Sequence, residues 1–193
     1  MRAAVMSNRC LSGVVVALTV LVPGTTAWAQ VEVEPDQRYL LLATERTSTM
    51  QEEIEEAAAL GFRIVTGSPT SGNEMAILLE RMATPPDTYQ YRLLATTRTS
   101  TMQEELSEAA AEGFRLLPTT LISKSRRFGG DEIIVMLERS PTESDQGFEY
   151  RLIATNFTGT MQTEITQALD AGFTISGLVS RGEHMVIMER QVP

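Results

Sequence analysis

The sequence predicts an α+β fold made of three tandem β-α-β-β repeats, and three observations carry that expectation. Thr101-Met102-Gln103 runs on to Gly113-Phe114, and the same pattern recurs as Thr49-Met50-Gln51 to Gly61-Phe62 and as Thr160-Met161-Gln162 to Gly172-Phe173. In each copy the Gly lies eleven residues after the Met. A Leu/Ile-Ala-Thr stretch precedes each copy, and an apolar stretch ending in Glu-Arg follows it.

The N-terminus reads as a targeting segment. Arg2 and Arg9 supply a basic start, Leu11 to Val22 is apolar, Pro23-Gly24 breaks the run, and Ala27-Trp28-Ala29 has the small-x-small form of a signal-peptidase site. The apolar run is shorter than the about 20 residues that a membrane-spanning helix needs. Cys10 precedes the run and has no lipobox before it. Residues 1–29 are therefore expected to be a cleaved signal peptide, with the bacterial product in a periplasm or secreted and not stably inserted in a membrane. Cleavage removes two arginines and no acids, which moves the formal net charge from −9 to −11. An acidic protein of that kind repels nucleic acid and anionic lipid. Cleavage also removes the only Cys and the only Trp, leaving no disulfide and no thiol ligand.

Residues 30–37 read as a flexible leader. Three units follow, at 38–82, 89–140 and 148–191, separated by short linkers rich in Pro, Thr, Ser and acids. Each opens with a strand: Tyr39 to Thr44, Tyr91 to Thr96, Tyr150 to Thr155. Leu, Ile and aromatic residues dominate there without helical period. The spacing of Thr49 to Glu52 and of Thr101 to Glu104 predicts a capping box at the start of the first two helices. Met50, Ile54, Ala57 and Ala58 form one apolar helical stripe, repeated as Met102, Leu106, Ala109 and Ala110 and as Met161, Ile165 and Ala168. Glu52, Glu53, Glu55 and Glu56 fall mostly on the other side and read as a solvated face. Gly61, Gly113 and Gly172 fit the left-handed position that ends a helix.

Second strands follow from Phe62, Phe114 and Phe173. Third strands run Met75 to Arg81, Ile133 to Arg139 and Met185 to Arg190. The third strands are apolar at both parities, as in Ile133-Ile134-Val135-Met136-Leu137, which predicts burial of both faces. A unit of this size buries too little surface to be stable alone. The expected architecture is a three-stranded antiparallel sheet in order 1-3-2 with one helix on one face of each unit, and with the bare sheet faces packing together.

The pattern Tyr-x-(Leu/Ile)-x-Ala-Thr, a helix, Gly-aromatic and a closing Glu-Arg resembles the small bacterial β-α-β-β domain catalogued as domain of unknown function four-one-seven-seven. Gly61-Phe62, Gly113-Phe114 and Gly172-Phe173 carry the likeness, with Glu80-Arg81, Glu138-Arg139 and Glu189-Arg190. The family usually has Trp where these Phe residues stand. The resemblance covers nearly all of residues 38–191 and implies a fold and no chemistry. Dodecin, a flavin-binding assembly, is similar in strand and helix order only, and its aromatic stacking position has no Trp counterpart here.

Chemistry-bearing residues are sparse. His184 is the only histidine and Lys124 the only lysine. The expectation is no catalytic residue, no metal and no cofactor. Two places are candidates for binding. Arg46, Thr47 and Ser48, with Arg98, Thr99 and Ser100, put guanidinium groups and hydroxyls beside helix N-termini, where a small anion fits. Lys124, Arg126 and Arg127 form the one local basic patch, which could meet an acidic partner or be a solvated hairpin tip. The reading is a non-enzymatic exported binding or scaffolding module with an unknown protein or small-ligand partner and a possible homo-oligomeric state. The alternatives are a carboxylate/Arg-based enzyme or small-anion binder using a cleft between units or the helix N-termini, and a purely structural envelope protein.

Overall fold

The computed structural model describes residues 31, 33–83, 88–125, 130–141, 147–180 and 182–192. The expected signal peptide lies outside the described residues, as do Arg126 and Arg127. In chain order the elements are β1 (Tyr39–Thr44), α1 (Thr47–Ala59), β2 (Phe62–Pro69), β3 (Met75–Arg81), β4 (Gln90–Thr96), α2 (Thr99–Ala111), β5 (Arg115–Leu116), a 3-10 turn (Pro118–Thr120), β6 (Ile122–Ser125), β7 (Asp131–Arg139), β8 (Gly147–Thr155), α3 (Thr158–Asp170), β9 (Thr174–Ser180) and β10 (His184–Val192). They form three antiparallel sheets, ordered β1-β3-β2, β4-β7-β5 and β8-β10-β9, with β6 also paired to β7. The α+β class and the 1-3-2 strand order agree with expectation.

The helices begin three residues earlier than the capping-box reading placed them. Arg46, Arg98 and Phe157 occupy the N-cap positions, and none makes a side-chain cap. The hydroxyl of the Thr that ends the preceding strand holds the entry instead. Thr44, Thr96 and Thr155 each accept from the backbone N–H two residues on, at 3.3, 3.1 and 3.1 Å. Thr49 and Thr101 thus lie inside the first turn, and the acids start one turn later than the macrodipole would favour. The helix ends are as expected. Gly61, Gly113 and Gly172 have φ of 86°, 84° and 86°. In α2 and α3 the Schellman pair closes the turn, with Phe114 donating to Ala109 O and Phe173 to Ala168 O, both at 3.0 Å.

The second sheet departs from the other two. A strand expected from Phe114 to Leu117 stops at Leu116, because Pro118 has no N–H for the ladder and opens a 3-10 turn. Pairing resumes in β6, from Ile122 opposite Ile134 to Ser125 opposite Asp131. Part of the expected basic loop is therefore paired strand.

Three cores result. The first joins Met50 and Ile54 of α1 and Ile77 and Leu79 of β3 to Tyr91, Ile134 and Met136 of the second sheet. The second joins Met102 and Leu106 of α2 and the other parity of β7 (Ile133, Val135, Leu137) to Tyr150, Met185 and Ile187 of the third sheet. The third holds only residues of the last sheet and helix: Ile153, Met161, Ala168, Phe173, Val186 and Met188. Bare sheet faces therefore do not simply pack on one another, because the preceding helix enters each layer. The sheets approach one another along β2, the 3-10 turn, β6 and β9.

Both faces of β7 and of β10 are buried, as expected. In β3 only one face is: Ala76 and Leu78 are half-buried, and Leu41 on the neighbouring strand is 65% exposed. The first sheet has no helix on its outer face. Two glycines permit the close side of the stack. A Cβ on Gly67 would lie 3.1 Å from Ile122 Cδ1, and one on Gly177 would lie 2.8 Å from Leu121 Cδ2.

Candidate functional site

The same hydrogen-bond group joins the first sheet to the second and the second to the third. Gln51 projects from the second turn of α1 toward β4. Its Nε2 donates to Tyr91 O at 2.9 Å, and its Oε1 accepts from Leu93 N at 2.7 Å. Gln103 on α2 does the same to β8, at 2.9 Å to Tyr150 O and 2.7 Å from Leu152 N. Tyr91 and Leu93 lie two apart, so one carboxamide satisfies both peptide groups of an open strand edge that would otherwise be left unpaired against protein.

An aromatic and charged cluster accompanies each carboxamide. Arg63 forms a forked ion pair with Glu138 at 2.7 Å and covers the Tyr89 ring at 4.4 Å. Arg115 pairs with Glu189 at 2.7 Å and covers the Phe148 ring at 4.5 Å. The Tyr91 hydroxyl donates to Glu138 at 2.8 Å and accepts from Ile64 N at 3.2 Å. The Tyr150 hydroxyl donates to Glu189 at 3.2 Å and accepts from Leu116 N at 2.8 Å. Burial, and then the adjacent carboxylates, push both phenols above the ordinary tyrosine value, which keeps them protonated as donors.

The ends of the stack lack this closure. On α3, Gln162 stands where Gln51 and Gln103 stand, and it is exposed. Ile175 is 54% exposed, whereas its counterparts Ile64 and Leu116 are buried. With Met161, Ile165, Val186 and Leu178 (64% exposed), Gln162 borders an open apolar groove of about 380 Å³. His184 lies at the groove margin, its Nδ1 3.0 Å from Ser180 Oγ. At the other end, Gln37 Nε2 donates to Tyr39 O at 2.8 Å and Arg38 pairs with Glu80 at 2.8 Å.

The sequence-derived candidates divide between these junctions. Arg46, Thr47 and Ser48 line a cleft of about 320 Å³ with Glu45, Asn73, Lys124, Ser125 and Glu132. Two stretches distant in sequence are thereby brought together. Lys124 is buried in this cleft and not on a hairpin tip, because β6 carries it into the ladder. Its Nζ donates to Glu45 O at 2.5 Å and lies 4.0 Å from Glu132. At α2, Thr99 donates to the Glu183 carboxylate at 3.1 Å. Arg98 is the N-cap and Ser100 lies in the first turn. A carboxylate from the following hairpin thus sits at the N-terminus of α2, and Glu132 lines the corresponding cleft at α1. Among the described residues no group of three His, Cys, Asp or Glu is placed to hold a metal ion, and no helix is long and apolar enough to cross a membrane.

Reading the sequence alone passed over the residues that do most at the junctions: Gln51, Gln103 and Gln162, the tyrosines that open each first strand, and the Arg after Gly-Phe. The signal was present, since Gln stands after Met in all three copies. No family model, curated protein or solved structure matches the chain.

Proposed function

We propose that this chain is an exported, non-enzymatic binding or scaffolding module built as a tandem array of three β-α-β-β units, and that its working surface is the groove beside α3. The observation that carries this reading is the carboxamide clasp. It closes on a strand edge at Gln51 and at Gln103, and its third copy, Gln162, borders an open apolar groove. The ligand class that fits is an extended strand bearing Tyr-x-Leu, which offers one C=O and one N–H to the carboxamide and one apolar face to Ile165, Ile175 and Leu178.

A synthetic peptide with the sequence of residues 89–97 tests this. Saturable binding is expected, with NMR shifts concentrated on α3 and β9. It should be lost in Gln162→Ala and in Leu178→Glu, both changes at exposed positions. Absence of binding to the unmutated protein sinks the groove reading.

The gathering of Arg46 and Lys124 in one cleft favours a second reading, a small-anion site at the start of α1. Phosphate or a small carboxylate would then raise the melting temperature, and Arg46→Ala would remove the increase. Unchanged melting in both proteins would show that Glu132 and the Glu45 carbonyl already satisfy the cleft.

A further inference from the structure

We propose that the strand taken by the α3 groove is β1 of a second copy of this chain, so that molecules join head to tail. The inference rests on the tandem-array reading above and names its partner. Each internal junction has an outgoing half, made of a helix with its Gln and the front of a sheet. It also has an incoming half, made of a first strand with Tyr, Leu and Ala on its outward parity. Among the described residues this junction is made twice, and one half of each kind is left over.

The outgoing half left over is Gln162 with Ile175 and Leu178. The incoming half left over is β1, where Tyr39 and Leu41 occupy the places of Tyr91 and Leu93 and of Tyr150 and Leu152. Tyr91 and Tyr150 are buried, while Tyr39 is 47% exposed. The two free halves are thus continuous with an interface that the protein already builds.

The charged positions have changed together at both ends. Thr174 replaces the Arg of the outgoing half, so no guanidinium arrives. Glu80 of the incoming half, which would need one, is neutralised by its own Arg38. Docking therefore strands no charge on either side. Gln37, which holds Tyr39 O in the single molecule, exchanges one exposed hydrogen bond for the equivalent one from Gln162. The contact is heterologous, since the surface given differs from the surface received, and it extends as a chain unless the rotation per step closes a ring.

Sedimentation of the purified protein from about 1 μM to 1 mM tests the proposal. Weight-average mass should rise with concentration through successive multiples of the monomer. Leu41→Glu blocks only the incoming half and Leu178→Glu only the outgoing half. Both sites are more than half exposed, so the variants should fold, with circular dichroism as the check. Each variant alone should remain monomeric, and an equimolar mixture should give a one-to-one dimer and nothing larger. A monomeric wild type overturns the proposal, as does assembly that survives both substitutions, or a mixture that stays monomeric. If the wild type is monomeric yet binds the residue 89–97 peptide, the groove reading stands and only the second copy is ruled out.

Discussion

Ile64 and Ile175 hold the same place after Gly-Phe in two sheets, and one is buried while the other is 54% exposed. Glu138 and Glu80 show the same contrast. Glu138 is buried under Arg63 and Tyr91, and Glu80 meets only Arg38 at the surface. Among the described residues, a neighbouring sheet lies against the first of each pair and none lies against the second. Burial in this protein is a property of the junction, and the second and third sheets depend on the helix before them for their second face.

That contrast can be broken in graded steps. The largest effect is expected in the doubly covered strands. Ile187→Ala empties a fully buried site between α2 and the third sheet and should cost about 2–5 kcal/mol, whereas Leu178→Ala should fall within about 0.5 kcal/mol of wild type. Chemical denaturation of both variants decides it, and equal losses would mean that the groove is already filled. Next in size is the charged cluster. Glu138→Ala leaves the Tyr91 hydroxyl and Arg63 without their acceptor and should cost about 2 kcal/mol, while Glu80→Ala, at an exposed pair, should cost less than about 1 kcal/mol.

The carboxamides come third. Gln103→Ala should lose about 1 kcal/mol, because it uncovers two backbone groups of β8, and Gln162→Ala should lose nothing measurable at concentrations where the protein is monomeric. Amide exchange at Leu152 reports this directly and should quicken only in the first variant. The smallest effect is at Glu105, whose Oε2 is buried without a partner on the sandwiched helix α2. Burial, followed by the charge of Glu108, raises this carboxyl above its ordinary value of 4.5. The folded state therefore binds the proton more tightly than the unfolded state, and stability declines as pH rises through that raised value. Glu105→Gln should melt slightly higher than wild type at pH 7, and the gap should close as the pH falls below the ordinary glutamate range. A gap that does not change with pH would refute the assignment.

The elements were largely legible because their signals are local. Gly61, Gly113 and Gly172 mark helix ends through backbone conformation alone, and the apolar third strands announced central positions. Other features could not be read locally. The three-residue shift of the helix starts turns on Thr44, Thr96 and Thr155, where a strand-end hydroxyl outcompetes the N-cap chemistry of Thr49 and Thr101. Lys124 read as solvated because its burial depends on the Glu45 carbonyl, 79 positions away. The candidate site was half visible. Arg46, Thr47 and Ser48 do line a cleft, but the groups that complete it come from the next hairpin. The glutamines looked like ordinary helix-surface residues until the strands they hold were in view.

The glycines on the close side of the stack have one more consequence. At the first junction the small partner is Gly67, on the giving side, and the large one is Ile122, on the receiving side; at the second the order is reversed, with Leu121 giving and Gly177 receiving. Laying the third sheet directly on the first would set glycine against glycine and leave a hole, and two large residues would collide in the opposite error. The close contacts of the two junctions are thereby keyed differently, one with its glycine on the giving side and the other with its glycine on the receiving side.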